Sequence, residues 1–290
     1  MKEEKSKLLQ ELEAKVKELA CGGLCVAFSG DDGSTLLLKL ALKAKARVLA
    51  VTFRSPLAPK DEADAALARA KALGAEEQLL PVDVLRDARI ASNSPSRCYY
   101  CRRTQFEALA AFAVNRGIFS VCDGSCADAS EDGREDKDRA LQELGVRSPL
   151  RECGVTRAQA RALLKELGVE PGAELSPCLA KRLPLDTPLE KAELQLIEDG
   201  ERLLRSLRLD GCYLYLHGGL ARIVTQREQA ASILAAAQDC VTGLKGLGFS
   251  QVTLDLAPLP SVQEEEPKPE PPAEKEPEPL PKEEGQAKEV

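Results

Sequence analysis

Leu24-Cys25-Val26-Ala27-Phe28-Ser29-Gly30-Asp31-Asp32-Gly33-Ser34-Thr35-Leu36-Leu37-Leu38 joins an apolar run, a turn of small and acidic residues, and a second apolar stretch. Leu24 to Phe28 reads as a buried strand, Ser29 to Gly33 as a glycine-containing turn, and Ser34 to Leu42 as the start of a helix. Small residues at such a turn let backbone N–H groups approach an anion, and the positive end of the following helix points to the same place. By itself the pattern is also that of an ordinary turn, because glycines among serines and aspartates close many loops. Its place after the first strand of a repeating pattern gives it weight.

Upstream, Leu8, Leu9, Leu12, Val16 and Leu19 recur at helical spacing over residues 3–20. Downstream, the pattern predicts strand Arg47–Phe53, helix Asp61–Leu73, strand Glu77–Val82, helix Arg102–Asn115 and strand Ile118–Cys122. Strands alternating with helices imply an α/β fold, a parallel sheet with right-handed crossovers and helices on both faces. Ligands of such sheets bind beyond the carboxyl ends of the strands, where Ser29, Phe53 and Asp123 emerge. Residues 125–138 are acidic and weakly patterned and read as a mobile loop, and Thr156 is placed to cap a helix over Ala158–Leu167. A helix over 188–207, strands Cys212–His217 and Ala221–Thr225, helix Arg227–Leu244 and strand Gln251–Leu256 form a smaller α+β unit. The boundaries fall at 1–185, 186–257 and a tail of Pro, Glu and Lys over 258–290 that is expected to be disordered.

The chain of 290 residues is 43% hydrophobic but only 3% aromatic and has no Trp, so its core must be built from Leu, Val, Ile and Ala. Residues 261–290 carry ten Glu and four Lys, which takes up most of the formal charge of -7 and leaves the rest near -1. A nearly neutral body lacks the broad basic stripe that nucleic acid requires, so a nucleic-acid partner is not expected. No signal peptide and no membrane-length apolar run is seen, which points to the cytoplasm and to no membrane partner. There, ten cysteines read as buried thiols or metal ligands rather than disulfides, and the lone His217 excludes a multi-histidine metal site.

Cys98-Tyr99-Tyr100-Cys101 places two thiols close enough for one metal ion or one disulfide, in a loop at the entrance to a helix. The helix end and the neighbouring Arg97, Arg102 and Arg103 favour thiolate. Cys178, in Ser176-Pro177-Cys178-Leu179-Ala180-Lys181-Arg182, lies far along the chain in a loop able to cover the same crevice. Three thiolates with one open coordination place suit an iron–sulfur cluster. Cys25 and Cys122 fall inside strands and read as core residues, while Cys21, Cys126, Cys153, Cys212 and Cys240 show no ligand pattern.

The turn at Ser29 resembles the PP-loop, Ser-Gly-Gly-x-Asp-Ser, of the adenine nucleotide alpha hydrolases, whose HUP-like domains split ATP between its alpha and beta phosphates while adenylating a substrate. Ser29, Gly30 and Ser34 match, whereas Asp31 stands at the second glycine and Gly33 at the aspartate. The spacing of Cys98, Cys101 and Cys178 is similar to that of LarE-type sulfur transferases that bind a 4Fe–4S cluster through three cysteines. Arg54-Ser55-Pro56, Asp123-Gly124-Ser125-Cys126-Ala127-Asp128, Gly145 to Leu150 and His217 to Ile223 also resemble that family.

The resemblance implies ATP with Mg²⁺ at Ser29, Gly30, Asp32, Ser34, Asp123, Gly124 and Asp128, with Asp31 or Asp32 as candidate Mg²⁺ contacts. It implies metal ligation by Cys98, Cys101 and Cys178, catalysis by Cys178 and Arg182, a small carboxylate substrate and a homo-oligomer. In relatives with one cysteine, the residue matching Cys178 gives up its own sulfur. Departures cluster at charged positions: Glu135-Asp136-Lys137 and Lys181 replace family residues, Tyr213 and Tyr215 replace arginines, and Val224 replaces a glutamate. Tyrosine cannot reproduce the arginine fork, so a phosphorylated substrate is expected to bind poorly. ATP-dependent sulfur transfer is the leading expectation, ahead of a nucleotide- or cluster-binding pseudoenzyme and of tRNA thiolation.

Overall fold

In strands β1 (Leu24–Ala27) and β2 (Val48–Arg54), Leu24, Val26, Val48 and Ala50 bury into one core, while Cys25, Leu49 and Val51 bury into another. With no polar face left, the sheet has to be covered on both sides. The computed structural model, which describes residues 2–128, 134–172 and 175–257, contains that cover. Strands β3 (Glu76–Pro81) and β4 (Ser120–Asp123) complete a parallel sheet in the order β3-β2-β1-β4.

The helices of the first half are α1 (Lys2–Leu19), α2 (Asp32–Lys43), α3 (Lys60–Ala72), α4 (Ala88–Ala91), α5 (Arg97–Val114), α6 (Arg134–Glu143), α7 (Pro149–Glu152) and α8 (Arg157–Glu166). One face of the sheet buries Leu12 and Val16 of α1, Leu36 and Leu40 of α2, Ala66 and Ala70 of α3, and Leu163 and Leu164 of α8. The other face buries Phe106, Leu109 and Ala113 of α5 with Leu141 of α6. The expected doubly covered α/β sheet is the one found. Thr156 caps α8, as the sequence predicts, through a reciprocal pair of bonds with Gln159.

Beyond Cys178, α9 (Lys191–Ser206), α10 (Ala230–Ala235) and α11 (Ala237–Leu247) surround a second sheet. In it β5 (Tyr213–His217) pairs antiparallel with β6 (Leu220–Val224), and β6 pairs parallel with β7 (Gln251–Leu254). Leu57, Val82, Val84 and Ile90 of the first half share a core with Leu179, Leu194, Ile197, Leu214 and Leu244. A cut near residue 185 therefore separates the two sheets but not their cores.

Three expectations change. Helix α5 begins at Arg97, so Cys98 and Cys101 lie within its first turns rather than in a preceding loop. Buried Arg97 and Tyr99 anchor that turn, an effect of tertiary packing that periodicity does not carry. The stretch 125–138, expected to be loop, is helical from Arg134, because α6 docks on α5 through Arg139 over the Tyr99 ring and Glu143 on Arg103. The continuous helix expected over Arg227–Leu244 is broken at Ala236, between α10 and α11. Residues 129–133 and the tail expected to be disordered lie outside the described residues.

Candidate functional site

The turn after β1 is closed by its own polar groups. Asp31 caps α2 by accepting the Ser34 N–H at 2.8 Å, and Ser34 Oγ accepts from the Gly30 N–H and from Ser29 Oγ, each at 3.1 Å. Gly30 has φ +84°, a left-handed conformation that its lack of a side chain permits. Asp32 accepts the Gly172 N–H and lies 3.7 Å from Arg161. Asp31 thus gives one amide of the turn, expected to meet an anion, an internal carboxylate partner.

Pairing of Ala27 with Asp123 brings the end of β4 beside this turn. Asp123 is buried and accepts 2.6 Å bonds from Ser125 Oγ and Ser148 Oγ. Ser148 follows Arg147, which bridges to Cys122 and extends the sheet edge, so the Gly145–Leu150 segment supports Asp123. A Cβ on Gly124 would collide with the Ser34 backbone, and one on Gly33 would collide with the Gly124 carbonyl. Ser29, Gly30, Ser34, Asp123 and Gly124 therefore meet at one place, while the Asp32 carboxylate is engaged by Gly172 and Arg161. Asp128 is exposed and turns elsewhere, accepting the Arg157 N–H at the start of α8 at 2.8 Å.

The fold places the three expected thiols within electrostatic range of one another. Cys98 and Cys101 share a helical face three residues apart on α5. Cys178 begins the short 3₁₀ turn Leu179–Arg182, whose Leu179 N–H donates to Leu57 O at 2.9 Å in the loop between β2 and α3. Ser176 N–H donates to Glu62 at 2.7 Å, fastening the same segment to α3. Cys101 and Cys178 pack against one hydrophobic cluster. Burial pushes the Cys101 thiol up to about 12, with Cys178 and then Cys98 adding to the rise against Arg102 and Arg97. Burial also raises Cys178, opposed by its backbone bond to Ala180 and by Arg97 and Lys137. Burial therefore outweighs the helix end and the arginines, which had been expected to favour thiolate at Cys101. Arg103 is drawn off instead to Tyr99, Glu107 and Glu143.

Asn93 and Arg97 join the two thiol-bearing segments; the motif reading named Arg97 only as a cation beside the thiols and missed Asn93. Asn93 is fully buried with φ +57°, and its Nδ2 donates to Pro184 O at 2.7 Å. Arg97 is bonded to Asn93 Oδ1, and its Nη2 lies 3.9 Å from Cys98 Sγ. The Asn-Ser-Pro-Ser turn before the C-x-x-C pair was the available signal. Lys137 of α6 also influences Cys178, so the acidic segment supplies a cation where it read as loop.

Arg182, expected to be catalytic, is fully buried, with Nε 3.1 Å from Glu201 and the guanidinium over the Tyr213 ring. A cavity of about 340 Å³ opens at the ends of β2 and β3 against α9, lined by Arg54, Ser55, Pro56, Asp83, Lys191 and Glu198 among others. Leu57, bonded to the Cys178 segment, belongs to the loop that walls it, one residue beyond Pro56. His217 is exposed at the end of β5. Among the described residues, no three His, Cys, Asp or Glu side chains converge tightly enough to hold one metal ion. No helix among them is long and apolar enough to cross a membrane.

No protein-family model matches the chain. It is 34% identical over 248 residues to the pyridinium-3,5-bisthiocarboxylic acid mononucleotide synthase of Lactiplantibacillus plantarum, an alignment covering 84% of this chain and 89% of that protein. It is 29% identical over 238 residues to an uncharacterised protein of Synechocystis sp., covering 80% and 87% of the two chains. An uncharacterised protein of Methanocaldococcus jannaschii is 25% identical over 251 residues, covering 86% and 94%.

Proposed function

The chain belongs to the LarE family of pyridinium-3,5-bisthiocarboxylic acid mononucleotide synthases, and from that premise we propose that it is an ATP-dependent sulfur transferase of nickel-pincer cofactor synthesis. What supports this reading is that Cys98, Cys101 and Cys178, from two distant segments, lie within electrostatic range of one another, with the Cys178 segment bonded to the loop that follows β2.

In this reading the acceptor carboxylate attacks the alpha phosphorus of ATP, the bond to the beta phosphate breaks, and pyrophosphate leaves over the turn at Ser29–Ser34. Sulfur then attacks the acyl carbon; a C–S bond forms, the C–O bond breaks, and AMP departs with the electron pair. The cavity beside α9, one loop away from Cys178, carries Lys60 and Lys191 on its wall, where Lys191 pairs with Asp83 and Lys60 lies 4.0 Å from Glu198, so an acceptor carboxylate would have to compete with these partners. Mg²⁺ would arrive with the triphosphate, as is usual for an ion held by few carboxylates and several phosphate oxygens.

Three thiols with an open fourth position match the donor set of a 4Fe–4S cluster, which spreads its ligands wider than a single ion does. Such a cluster, when bound, would supply sulfide without consuming Cys178. If the sulfur were Cys178's own, release would break its Cβ–Sγ bond with loss of the Cα proton, leaving dehydroalanine. The burial of Cys101 and Cys178 favours the cluster, because a coordinated thiolate has its charge met by metal and a free one at such a site does not.

The test is anaerobic iron and sulfide analysis of wild type beside Cys178→Ala, with pyrophosphate release measured on a nicotinic-acid-derived mononucleotide. Bound iron and sulfide that fall in the variant, with ATP-dependent release in wild type, are expected. Absence of iron from anaerobically prepared protein removes the cluster. One observation favours a nucleotide-binding pseudoenzyme instead: Asp31 already satisfies the Ser34 amide and would repel phosphate. ATP binding without pyrophosphate release would select that reading.

A further inference from the structure

We infer that Arg182 is a positioning residue that clamps the Cys178 turn to the small domain through Glu201, Tyr213 and Tyr215, and does not meet a ligand. It ends the turn that Cys178 begins, and its side chain has 0% exposure. Nε donates to Glu201 Oε1 at 3.1 Å, and the guanidinium carbon lies 4.2 Å from the Tyr213 ring centre and 5.3 Å from that of Tyr215. Nη1 and Nη2 are buried without a hydrogen-bond partner, so the aromatic faces are what the fork meets. An arginine that grips a ligand keeps that fork open toward it.

The same Glu201 oxygen accepts the Leu214 N–H at 3.0 Å, midway between the two tyrosines of β5. One carboxylate thereby fastens the turn both to α9 and to β5. On the other side, the bonds from Leu179 to Leu57 and from Ser176 to Glu62 fasten Cys178 to the parallel-sheet half. A buried ion pair is a poor source of net stability, since desolvation offsets its attraction. What this pair provides is a fixed location for Cys178 between two anchored ends, a consequence that matters for transfer only if the sulfur reading above holds.

The test compares full-length wild type, Arg182→Met, Arg182→Lys and the pair Arg182→Met with Glu201→Leu. Each is pulsed with N-ethylmaleimide and every cysteine is read by peptide mass spectrometry, a measurement independent of sulfur transfer. In Arg182→Met, Cys178 should be alkylated about tenfold faster relative to exposed Cys21, while buried Cys25 stays protected and reports an intact fold. Arg182→Lys, which keeps the charge but not the flat stack, should fall between. The paired variant should return Cys178 to the wild-type rate, because an apolar pair can replace a buried ion pair. Pyrophosphate-coupled transfer should follow the same order.

An unchanged Cys178 rate in both single variants overturns the clamp. So does a paired variant with wild-type protection that has lost transfer while wild type retains it, since Arg182 would then touch the ligand. If wild type transfers no sulfur at all, the sulfur reading fails and the alkylation rates still decide the clamp. If Cys25 becomes reactive in Arg182→Met, the lysine and paired variants decide.

Discussion

Replacing Gly124 by alanine should damage the protein out of proportion to the single methyl added. A Cβ there would overlap the amide nitrogen and Cα of Ser34 and the carbonyl carbon of Gly33, all main-chain atoms in the first turn of α2. Overpacking costs about 1–3 kcal/mol where side chains can yield. Here backbone held by the β1–β4 pairing must yield, so we expect about 3 kcal/mol, the upper end of that range. At about 2–4 °C per kcal/mol for a chain of this size, the melting temperature should fall by about 6–12 °C. Gly246→Ala is the matched control. Gly246 is exposed on α11 with nothing within 4 Å of an added Cβ, so alanine there should gain up to about 1 kcal/mol from helix propensity. Thermal unfolding of both variants by circular dichroism should give shifts of opposite sign, and the 124 variant should also bind ATP less well. A Gly124→Ala protein that melts with wild type would refute the close approach of the two loops.

Thr156→Ala removes a capping box and should cost about 1 kcal/mol in urea unfolding, with Gln159→Ala costing part of the same amount and the double variant less than their sum. Asn93→Ala leaves buried Arg97 without its partner and frees the Pro184 carbonyl, so a loss of about 1–3 kcal/mol is expected by the same assay. Glu152 is held below the usual carboxylate range by its bond to Arg147, with Lys15 contributing against a burial effect that raises it. Its contribution to stability is thus present at neutral pH and is lost as pH falls below the unfolded glutamate value of about 4.3 toward the lower folded one. Urea midpoints of wild type and Glu152→Gln should differ at pH 7 and converge on acidification; a gap that widens toward acid contradicts the sign.

Much of the architecture was legible from local pattern. Leu24–Phe28 and Arg47–Phe53 announced buried strands because both faces of each are apolar, and Thr156 announced a helix start because a side chain must meet the first free amides, while the reciprocal bond from Gln159 appeared only in the structure. The start of α5 was set five residues late, since Arg97 and Tyr99 read as polar until the fold buries them. Helix α6 was hidden for the opposite reason: Arg139 and Glu143 dock it by charge and ring contact, with only a short apolar stripe.

The candidate site divides along the same line. The Cys98–Cys101 spacing and the run of small and acidic residues at Ser29–Ser34 are legible in the sequence because each is written in nearly consecutive positions, whereas distant Cys178 was joined to the pair only through the family resemblance. Only the tertiary structure decided that Asp31 fills its own turn, that Gly124 lies against Ser34, and that Arg182 is enclosed by Tyr213, Tyr215 and Glu201. These depend on which side chains are desolvated and which backbones touch, and such contacts between distant residues exist only once the chain has packed.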